Sequence, residues 1–472
     1  MSELKRSLNL FDTVMLVSGS MIGSGIFIVS ADMMRVLGSP FWVLFCWVLS
    51  GVITLIAALS YGELAGMMPE AGGQFIYLKR AYGKLTSFVY GWTVFTVIQT
   101  GVIAAVAVAF ARYVGVFLPF FDENHKILCI NQFSISTTQV LGVASVFFLT
   151  WLNTQGINNG KIIQRIFTST KIVALFGLIV LGFSIGYSED YWQQNINLPF
   201  KNGGSANSAL GVGTLLSAMG VALIGSLFSS DAWNNVTFIA GEVKEPQKNI
   251  PLGLLIGVLI VTVLYILANV AYFMLLPAMG SPAGQTVIER GIAYAQNDRV
   301  GTAAMYGVFG DISAYLMALL IVISTFGCNN GLILSGARLF QSMANEDLFF
   351  KSAAHVNKHL VPSKALWLQG IWASVLCLSG SYGSLLDYCT FASLIFYIVT
   401  ISALFYLRKR EPKAPRPYKA FAYPYFPALY ILIASAICID LLIFKPQNTF
   451  IGLFIMLLGV PVYYWFSRSK NA

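Results

Sequence analysis

Apolar runs separated by short groups of ionisable residues cover almost the whole chain. Twelve of these runs are long enough to cross a bilayer core of about 30 Å as a helix. Backbone polar groups inside a bilayer must bond within their own segment, so each run is expected to be helical. The pattern predicts an all-α polytopic membrane protein with twelve spans, which in chain order are Thr13–Ala31, Val36–Gly62, Leu85–Ala111, Ile127–Gly160, Ile172–Ser188, Asn202–Ser230, Asn249–Ile288, Ile312–Ala337, Ala365–Leu386, Tyr388–Leu407, Ala420–Ile439 and Pro446–Ser467.

Span 1 has an unusual centre. The run "VMLVSGSMIGSGIFIV", Val14–Val29, contains three glycines and three serines, and glycine disfavours a helix interior. Because unpaired backbone groups are tolerated in a membrane only around a protected cavity, the run predicts a helix broken into two halves. The broken ends would offer N–H groups to a carboxylate and carbonyls to an ammonium, and Gly23 and Gly25 would let a ligand approach the backbone. The alternative is that these small residues only allow close helix packing.

Span 6 shows a second interruption. The segment "LIGSLFSSDAWNN" places Asp231 deep within an otherwise apolar run, where an ionisable group is energetically unfavourable. Corresponding breaks in the two halves of a chain indicate a transporter binding site near the middle of the membrane. The sequence therefore predicts that spans 1 and 6 are both broken and face each other.

Composition and charge agree with a membrane protein. Hydrophobic residues make up 57% of the chain and charged residues 10%. If the N-terminus is cytoplasmic, 21 Lys and Arg residues lie inside and Lys171 lies within a span. The positive-inside rule then predicts that both termini are cytoplasmic, and the net charge of +9 does not indicate nucleic-acid binding. We expect the protein in the plasma (inner) membrane. The seven basic residues left outside are Arg35, Arg112, Lys126, Lys201, Arg290, Arg299 and Lys445.

Motifs of enzymes and metal sites are missing from the sequence. The six cysteines show no C-x-x-C spacing, and the three histidines lie in or beside predicted loops. There is also no phosphate loop, no H-E-x-x-H and no G-x-S-x-G. We therefore expect a protein that is not an enzyme and needs neither a cofactor nor a metal.

Six motifs, in order along nearly the whole chain, resemble the L-type amino acid transporter branch of the amino acid–polyamine–organocation (APC) superfamily, in the form of a bacterial-type amino acid permease. They are "GSMIGSGIF", "YGELAGMMPEAGGQFIYL", "RIFTSTKIVAL", "GEVKEPQKNIP", "SGARLFQSMANEDLFF" and "YLRKREPKAPRPYK". The resemblance implies one transporter domain, 1–472, with a LeuT-type fold. Residues 8–188 (helices 1–5) and 207–409 (helices 6–10) would form the inverted repeat, and helices 11 and 12, residues 420–467, would lie outside it.

The resemblance also implies a set of binding residues. Lys171 matches a helix 5 lysine whose ammonium resembles a built-in substitute for a sodium ion. Phe228 looks like an aromatic gate over the bound ligand. The substrate carboxylate would meet N–H groups of Ser24, Gly25 and Ile26, and the ammonium would meet carbonyls near Ser20 and Met21 and those of Phe228, Ser229 and Asp231.

Several of these residues have alternative interpretations. Lys171 either has this role or snorkels to the cytoplasmic interface. The Asp231 carboxylate either caps the second half of helix 6, accepting from the N–H of Asn234 or its neighbours, or lies in the cavity. Glu63 and Arg338 either pair as a gate or face the lipid headgroups separately.

For the function, the resemblance implies alternating-access transport of L-amino acids, typically by sodium-independent exchange. Ser229, Ser230 and Ala232 leave room and polarity, which favours small neutral substrates. The alternatives are a proton- or sodium-coupled symporter, a broad neutral and cationic exchanger, and a channel or non-transporting sensor. In animal relatives a cysteine after helix 3 links to a heavy chain, but the context of Cys129 does not match, so a heavy-chain subunit is not expected.

Overall fold

The structure is a computed structural model that describes residues 6–122, 124–130, 133–185, 188–198, 212–379, 382–444 and 446–468. A few predictions fall outside these residues. They include residues 131 and 132 of span 4, 186 and 187 of the first repeat, 202 to 211 of span 6 with the start of the second repeat at 207, and 380 and 381 of span 9, together with Lys201 and Lys445.

The described chain is mainly helical. The first half contains α1 (Leu10–Met21), α2 (Val29–Leu37), α3 (Pro40–Met67), α4 (Gln74–Tyr82), α5 (Lys84–Thr93), α6 (Gln99–Val114), α7 (Thr137–Thr154), α8 (Ile157–Ser184) and α9 (Glu189–Ile196). The second half contains α10 (Val212–Ser229), α11 (Asn235–Phe238), α12 (Pro246–Leu275), α13 (Val287–Arg290), α14 (Val300–Phe309), α15 (Ile312–Asn345), α16 (Ser363–Ser379), α17 (Tyr382–Arg410), α18 (Tyr425–Phe444) and α19 (Pro446–Arg468). A π-helical turn, Val94–Ile98, joins α5 to α6.

Long apolar helices dominate this set. Among the described residues, eight helices are long and apolar enough to cross a membrane when α5 and α6 are taken together. Three shorter apolar helices, Leu10–Met21, Leu215–Ser229 and Val300–Phe309, accompany them. The chain is therefore a polytopic integral membrane protein.

Polar residues before the apolar runs set where helices begin. The Asn9 side chain accepts from the Asp12 N–H, and the Asp12 carboxylate accepts from the Asn9 N–H, which is a capping box at the start of α1. Ser136 and Gln139 form the same arrangement at α7. Pro40 occupies the first turn of α3, where its missing N–H does no harm.

Several predicted span boundaries were wrong. Span 5 begins earlier than Ile172, because α8 already starts at Ile157. Span 4 begins too early, because β1 (Lys126–Ile130) and β2 (Phe133–Ser136) form an antiparallel hairpin before α7. The division between spans 9 and 10 was placed at Asp387, which lies inside α17. Span 7 ends earlier than predicted, since α12 stops at Leu275. The spans were placed by the positions of ionisable residues, and these positions do not coincide with the ends of the helices.

Packing places the broken part of span 1 at the centre of the bundle. Helix α12 packs along both α1 and α3, while α15 packs against α1, α6 and α8. Trp47 of α3 meets Tyr265 of α12 edge to face, with ring centroids 5.4 Å apart. The end of α1 is thus surrounded by α8, α12 and α15.

Candidate functional site

Span 1 is broken, as its sequence predicts. Helix α1 ends at Met21 and Ile22 is extended. The chain then bends, forms a 3-10 turn over Gly25–Phe27 and continues as α2. The first N–H groups of a helical segment have no partner within that segment. Gly25 and Ile26, directly after Ser24, lie at such a start, so their N–H groups can donate to a ligand.

The carbonyls at the end of α1 receive donors from neighbouring helices. Lys171 Nζ lies 2.5 Å from the Gly19 carbonyl oxygen and 2.7 Å from that of Ile22. Ser324 Oγ of α15 lies 3.1 Å from the Ile22 oxygen and 3.0 Å from that of Gly23. Side chains of other helices therefore donate hydrogen bonds to the carbonyls at the end of α1.

Lys171 does not snorkel to the membrane surface. Its side chain is only 1% exposed, and its Nζ also lies 3.4 Å from the Ser324 carbonyl oxygen of α15. A single ammonium on α8 thus joins α8 to the broken end of α1 and to α15. The interfacial alternative is wrong because the ammonium is fully used by carbonyls inside the bundle.

Span 6 is also broken. Helix α10 ends at Ser229, Ala232 adopts a positive φ of 65°, and the short helix α11 follows from Asn235. The Tyr265 hydroxyl lies 3.1 Å from the carbonyl oxygens of both Met21 and Ser229, so it joins the two broken ends. Phe228 is partly exposed just before the end of α10, and its gate role stays a prediction.

Other carbonyls assigned to the substrate ammonium also accept from protein donors. Cys328 Sγ lies 3.0 Å from the Ser20 carbonyl oxygen, and the Asp231 N–H donates to the Phe228 carbonyl at 3.1 Å. A carbonyl has two lone pairs, so these bonds leave acceptor capacity. The Ser20 hydroxyl is buried and has no hydrogen-bond partner among the described residues.

Gly25 and Gly23 differ in the space around them. A Cβ at Gly25 would lie 2.1 Å from Ser229 Oγ, so the two broken segments touch there. At Gly23 the nearest atom to an added Cβ would be Cys328 Sγ at 3.7 Å. Gly25 therefore has a packing role in this arrangement, whereas the backbone at Gly23 is open to a small group.

Asp231 does not cap α11, contrary to the capping hypothesis. The residue preceding α11 is Asn234, which makes no side-chain cap bond, and the Asp231 carboxylate instead accepts from the Tyr397 hydroxyl of α17 at 2.5 Å. Among the described residues no lysine or arginine pairs with it. Three other carboxylates in the described part of the chain are fully buried, and each pairs with an arginine: Asp12 with Arg165, Glu63 with Arg408 and Glu242 with Arg338.

Two small cavities flank the Asp231 side chain. Each has a volume of about 20 Å³, which is room for about one water molecule. Gln74, Gln99 and Asn234 contribute polar groups to one of them. The break in span 6 is therefore bordered by a small polar space next to a carboxylate without a cationic partner.

Glu63 and Arg338 do not pair, and neither faces lipid headgroups. Glu63 is fully buried and accepts from Arg408 at 2.5 and 2.9 Å, from Arg416 at 3.1 Å and from the Ala420 N–H at 2.7 Å. Arg338 is also fully buried, and its Nε lies 3.1 Å from Glu242 Oε1. Burial raises the pKa of the Glu242 carboxyl, and the charge of Arg338 opposes that shift. The predicted gate pair is thus replaced by two separate ion-pair clusters.

Removal of the Glu63 charge should destabilise the fold, because it leaves two arginines without their acid. Breaking a buried ion pair typically costs about 3 kcal/mol or more. We expect Glu63→Gln to lower the melting temperature in detergent clearly. As a control, Glu346→Gln removes a partly exposed pair with Lys79 and should cost less than about 1 kcal/mol. Equal melting temperatures for the two variants would contradict this role.

Sequence reasoning missed several residues around the breaks. Tyr265 and Tyr397 stand in apolar runs that show no local signal for their hydrogen bonds. Glu242 lies within the motif "GEVKEPQKNIP", but its partner Arg338 is distant in sequence. These contacts depend on helix packing, which a single sequence does not show.

Discontinuous helices whose broken ends meet inside a polytopic helical bundle are characteristic of secondary transporters. Comparison with known families agrees with this class: the amino acid permease family model matches residues 8–467. The chain belongs to the amino acid permease family, and it is a transporter rather than an enzyme.

Individual relatives support the same class. The chain is 29% identical to the large neutral amino acids transporter small subunit 2 of Mus musculus, over 99% of this chain and 83% of the relative. It is 28% identical to the serine/threonine exchanger SteT of Bacillus subtilis, over 99% and 98% of the two chains. It is 27% identical to the b(0,+)-type amino acid transporter 1 of Mus musculus, over 98% and 88%. The resemblance to L-type amino acid transporters is thereby confirmed.

Proposed function

We propose that this protein exchanges small neutral L-amino acids across the membrane by alternating access, without sodium. The observation that carries the proposal is the Lys171 ammonium, which joins the broken end of α1 to α8 and α15. A relative named as a serine/threonine exchanger supports both the exchange and the substrate size.

The substrate would lie between the two breaks. Its carboxylate would accept from the N–H groups of Ser24, Gly25 and Ile26 at the start of the second segment, where the helix dipole favours negative charge. Its ammonium would donate to carbonyls at the ends of α1 and α10. The Tyr265 hydroxyl has one hydrogen for two carbonyls, so one of the two always retains capacity for the ammonium.

Lys171 would fulfil the role that a bound cation has in a sodium-coupled transporter. A fixed ammonium donates to the inward-facing carbonyls of the broken helix and balances their partial negative charge whether or not sodium is present. The cation is part of the chain and is not carried across the membrane. Transport should therefore show no dependence on the sodium gradient.

Sodium replacement tests this proposal. We expect uptake of labelled alanine or serine into proteoliposomes to be unchanged when choline replaces sodium on both sides. A collapse of uptake in choline would contradict the assignment of Lys171. The same vesicles without protein are the control for leakage.

The architecture belongs to this proposal too. We propose twelve spans, a LeuT-type inverted repeat of helices 1–5 and 6–10, and cytoplasmic termini. Breaks in spans 1 and 6, the first helix of each repeat, support the repeat, and the distribution of Lys and Arg supports the orientation.

The orientation has a direct test at a native residue. Cys129 is exposed, while the other five cysteines are buried, and the proposed topology places it outside. A membrane-impermeant maleimide should label intact cells at Cys129, with Cys129→Ser as the control. Labelling that requires lysed cells would reverse the topology.

A broad neutral and cationic exchanger is the second candidate, because Asp231 has no cationic partner among the described residues. A substrate lysine or arginine side chain would provide one. The two cavities beside Asp231 argue against a cationic substrate, because each has a volume of only about 20 Å³. Each has room for about one water molecule, far less than a lysine or arginine side chain needs.

Substitution of Asp231 separates these candidates. Asp231→Asn keeps an oxygen that accepts from Tyr397 and removes the charge. For small neutral substrates we expect the variant to retain roughly a third or more of alanine exchange. Wild-type uptake of arginine or lysine that vanishes in the variant would instead establish the cationic class.

We also propose that transport needs no heavy-chain subunit. The sequence around Cys129 does not match the cysteine that links animal relatives to such a partner. Activity of the purified single chain in proteoliposomes would support this, and activity only after addition of a partner would contradict it.

A further inference from the structure

A cavity of about 610 Å³ lies away from the broken helices, where two connections meet. One connection joins α7 to α8 and the other joins α15 to α16. The start of α8 is on the same side of the bundle as the start of α1, since Arg165 pairs with Asp12. Polar groups line one part of the cavity: Thr154, Ser352, Asn357, Lys358, His359 and Lys364.

The segments that form this cavity carry positive charge without acidic residues. From Lys351 to Ile371 the chain has three lysines and two histidines and no Asp or Glu. From Asn153 to Arg165 it has one lysine and one arginine, again without an acid. Lys358 and Lys364 are exposed, and neither has an acidic partner among the residues that the structure describes. The cavity therefore attracts an anion.

The remaining wall is apolar and continues onto the outside of the bundle. Trp367, Leu368 and Ile371 of α16 form it, and Trp367 and Ile371 are 37% and 52% exposed. These two residues are four apart, so they lie on one face of the helix. Exposed apolar side chains on a membrane-spanning bundle face lipid chains. The cavity thus combines a basic end with an apolar, lipid-facing end.

The basic end is held in place by its own hydrogen bonds. Asn357 Nδ2 donates to the Thr154 carbonyl at 2.8 Å, across the two connections. Its Oδ1 accepts from the His359 N–H at 2.9 Å and from the Val361 N–H at 3.3 Å. These hydrogen bonds therefore attach the loop that carries Lys358 to the end of α7.

We propose that this cavity binds an anionic phospholipid. The phosphate would lie between Lys358 and Lys364, and an acyl chain would follow the wall of Trp367 and Ile371. Basic pockets between membrane helices bind acidic lipid headgroups. A soluble anion such as inorganic phosphate would use only the basic end and would leave the exposed apolar wall without a partner, so the lipid fits better.

Quenching of Trp367 fluorescence tests the proposal with the full-length protein. Brominated phosphatidylglycerol in phosphatidylcholine vesicles should quench the wild type more than brominated phosphatidylcholine does. The difference should disappear in Trp367→Phe, which identifies the signal among nine tryptophans. Lys358→Gln with Lys364→Gln should weaken the apparent affinity for phosphatidylglycerol about thirtyfold, or about fivefold for each lysine.

A matched variant controls for general surface charge. Lys409→Gln with Lys413→Gln removes two exposed lysines on the same side of the bundle, outside the cavity, and should leave the quenching difference unchanged. Equal quenching by the two brominated lipids would overturn the proposal. So would an equal loss in the control variant, or displacement of the lipid by millimolar inorganic phosphate, which would identify a simple anion site.

Discussion

Lys171→Ala should abolish most amino acid exchange while the protein still inserts and folds. The substitution leaves the carbonyls of Gly19 and Ile22 without their charged donor. Hydrogen bonds to a charged group contribute about 1.5–3 kcal/mol each. The loss of two should lower the population of the transport-competent arrangement of α1, and with it the rate, by about a hundredfold or more. The measurement is labelled alanine exchange in proteoliposomes with equal amounts of inserted protein.

A second lysine on the same helix provides the control. Lys161 stands near the start of α8 and makes no ion pair among the described residues, so Lys161→Ala should leave exchange nearly unchanged. An active Lys171→Ala variant with unaltered sodium independence would show that the ammonium is only structural. Exchange that returns in the Lys171→Ala variant when sodium is added would, in contrast, strengthen the account.

Gly25→Val should eliminate the stabilisation that substrate gives to the purified protein. A branched side chain would collide with Ser229 Oγ, which is 2.1 Å from the position of an added Cβ. It would also cover the N–H groups assigned to the substrate carboxylate. A ligand that binds only the folded protein raises the melting temperature by an amount that depends on its concentration relative to Kd. We therefore expect the alanine-dependent shift to vanish in a thermal-shift assay when the site is blocked.

Because Gly25 also has a packing role, a second variant must separate the two effects. Gly25→Ala with Ser229→Gly relieves the collision while keeping a methyl group at the N–H groups. If those N–H groups bind the carboxylate, the double variant regains basal stability and still shows little substrate-dependent shift. Recovery of both properties would mean that Gly25 is needed for packing alone.

The sequence was a good guide where a signal is local. Glycines and serines in span 1 and the carboxylate in span 6 predicted both helix breaks, because a broken helix in a membrane needs small or polar residues at that point. The buried lysine of α8 was identified through its motif, and it contacts α1 and α15, while its role as a substitute for sodium stays a prediction.

Contacts between distant elements could not be predicted in the same way. The partner of Glu63 comes from the end of α17 and that of Arg338 from the link after α11, and charge alone does not choose among many basic and acidic residues. The Asp231 carboxylate reaches Tyr397 because α17 packs beside the break. The hairpin before α7 was missed because its strands are short and apolar enough to resemble the beginning of a span.

Trans-stimulation of efflux from proteoliposomes tests the central claim most directly. Vesicles loaded with labelled alanine are diluted into buffer with or without unlabelled alanine or serine, in sodium and in choline. The account predicts that external amino acid greatly accelerates the efflux of label, to the same extent in both salts. Efflux that is equally fast without external amino acid, or acceleration that requires sodium, would contradict sodium-independent exchange.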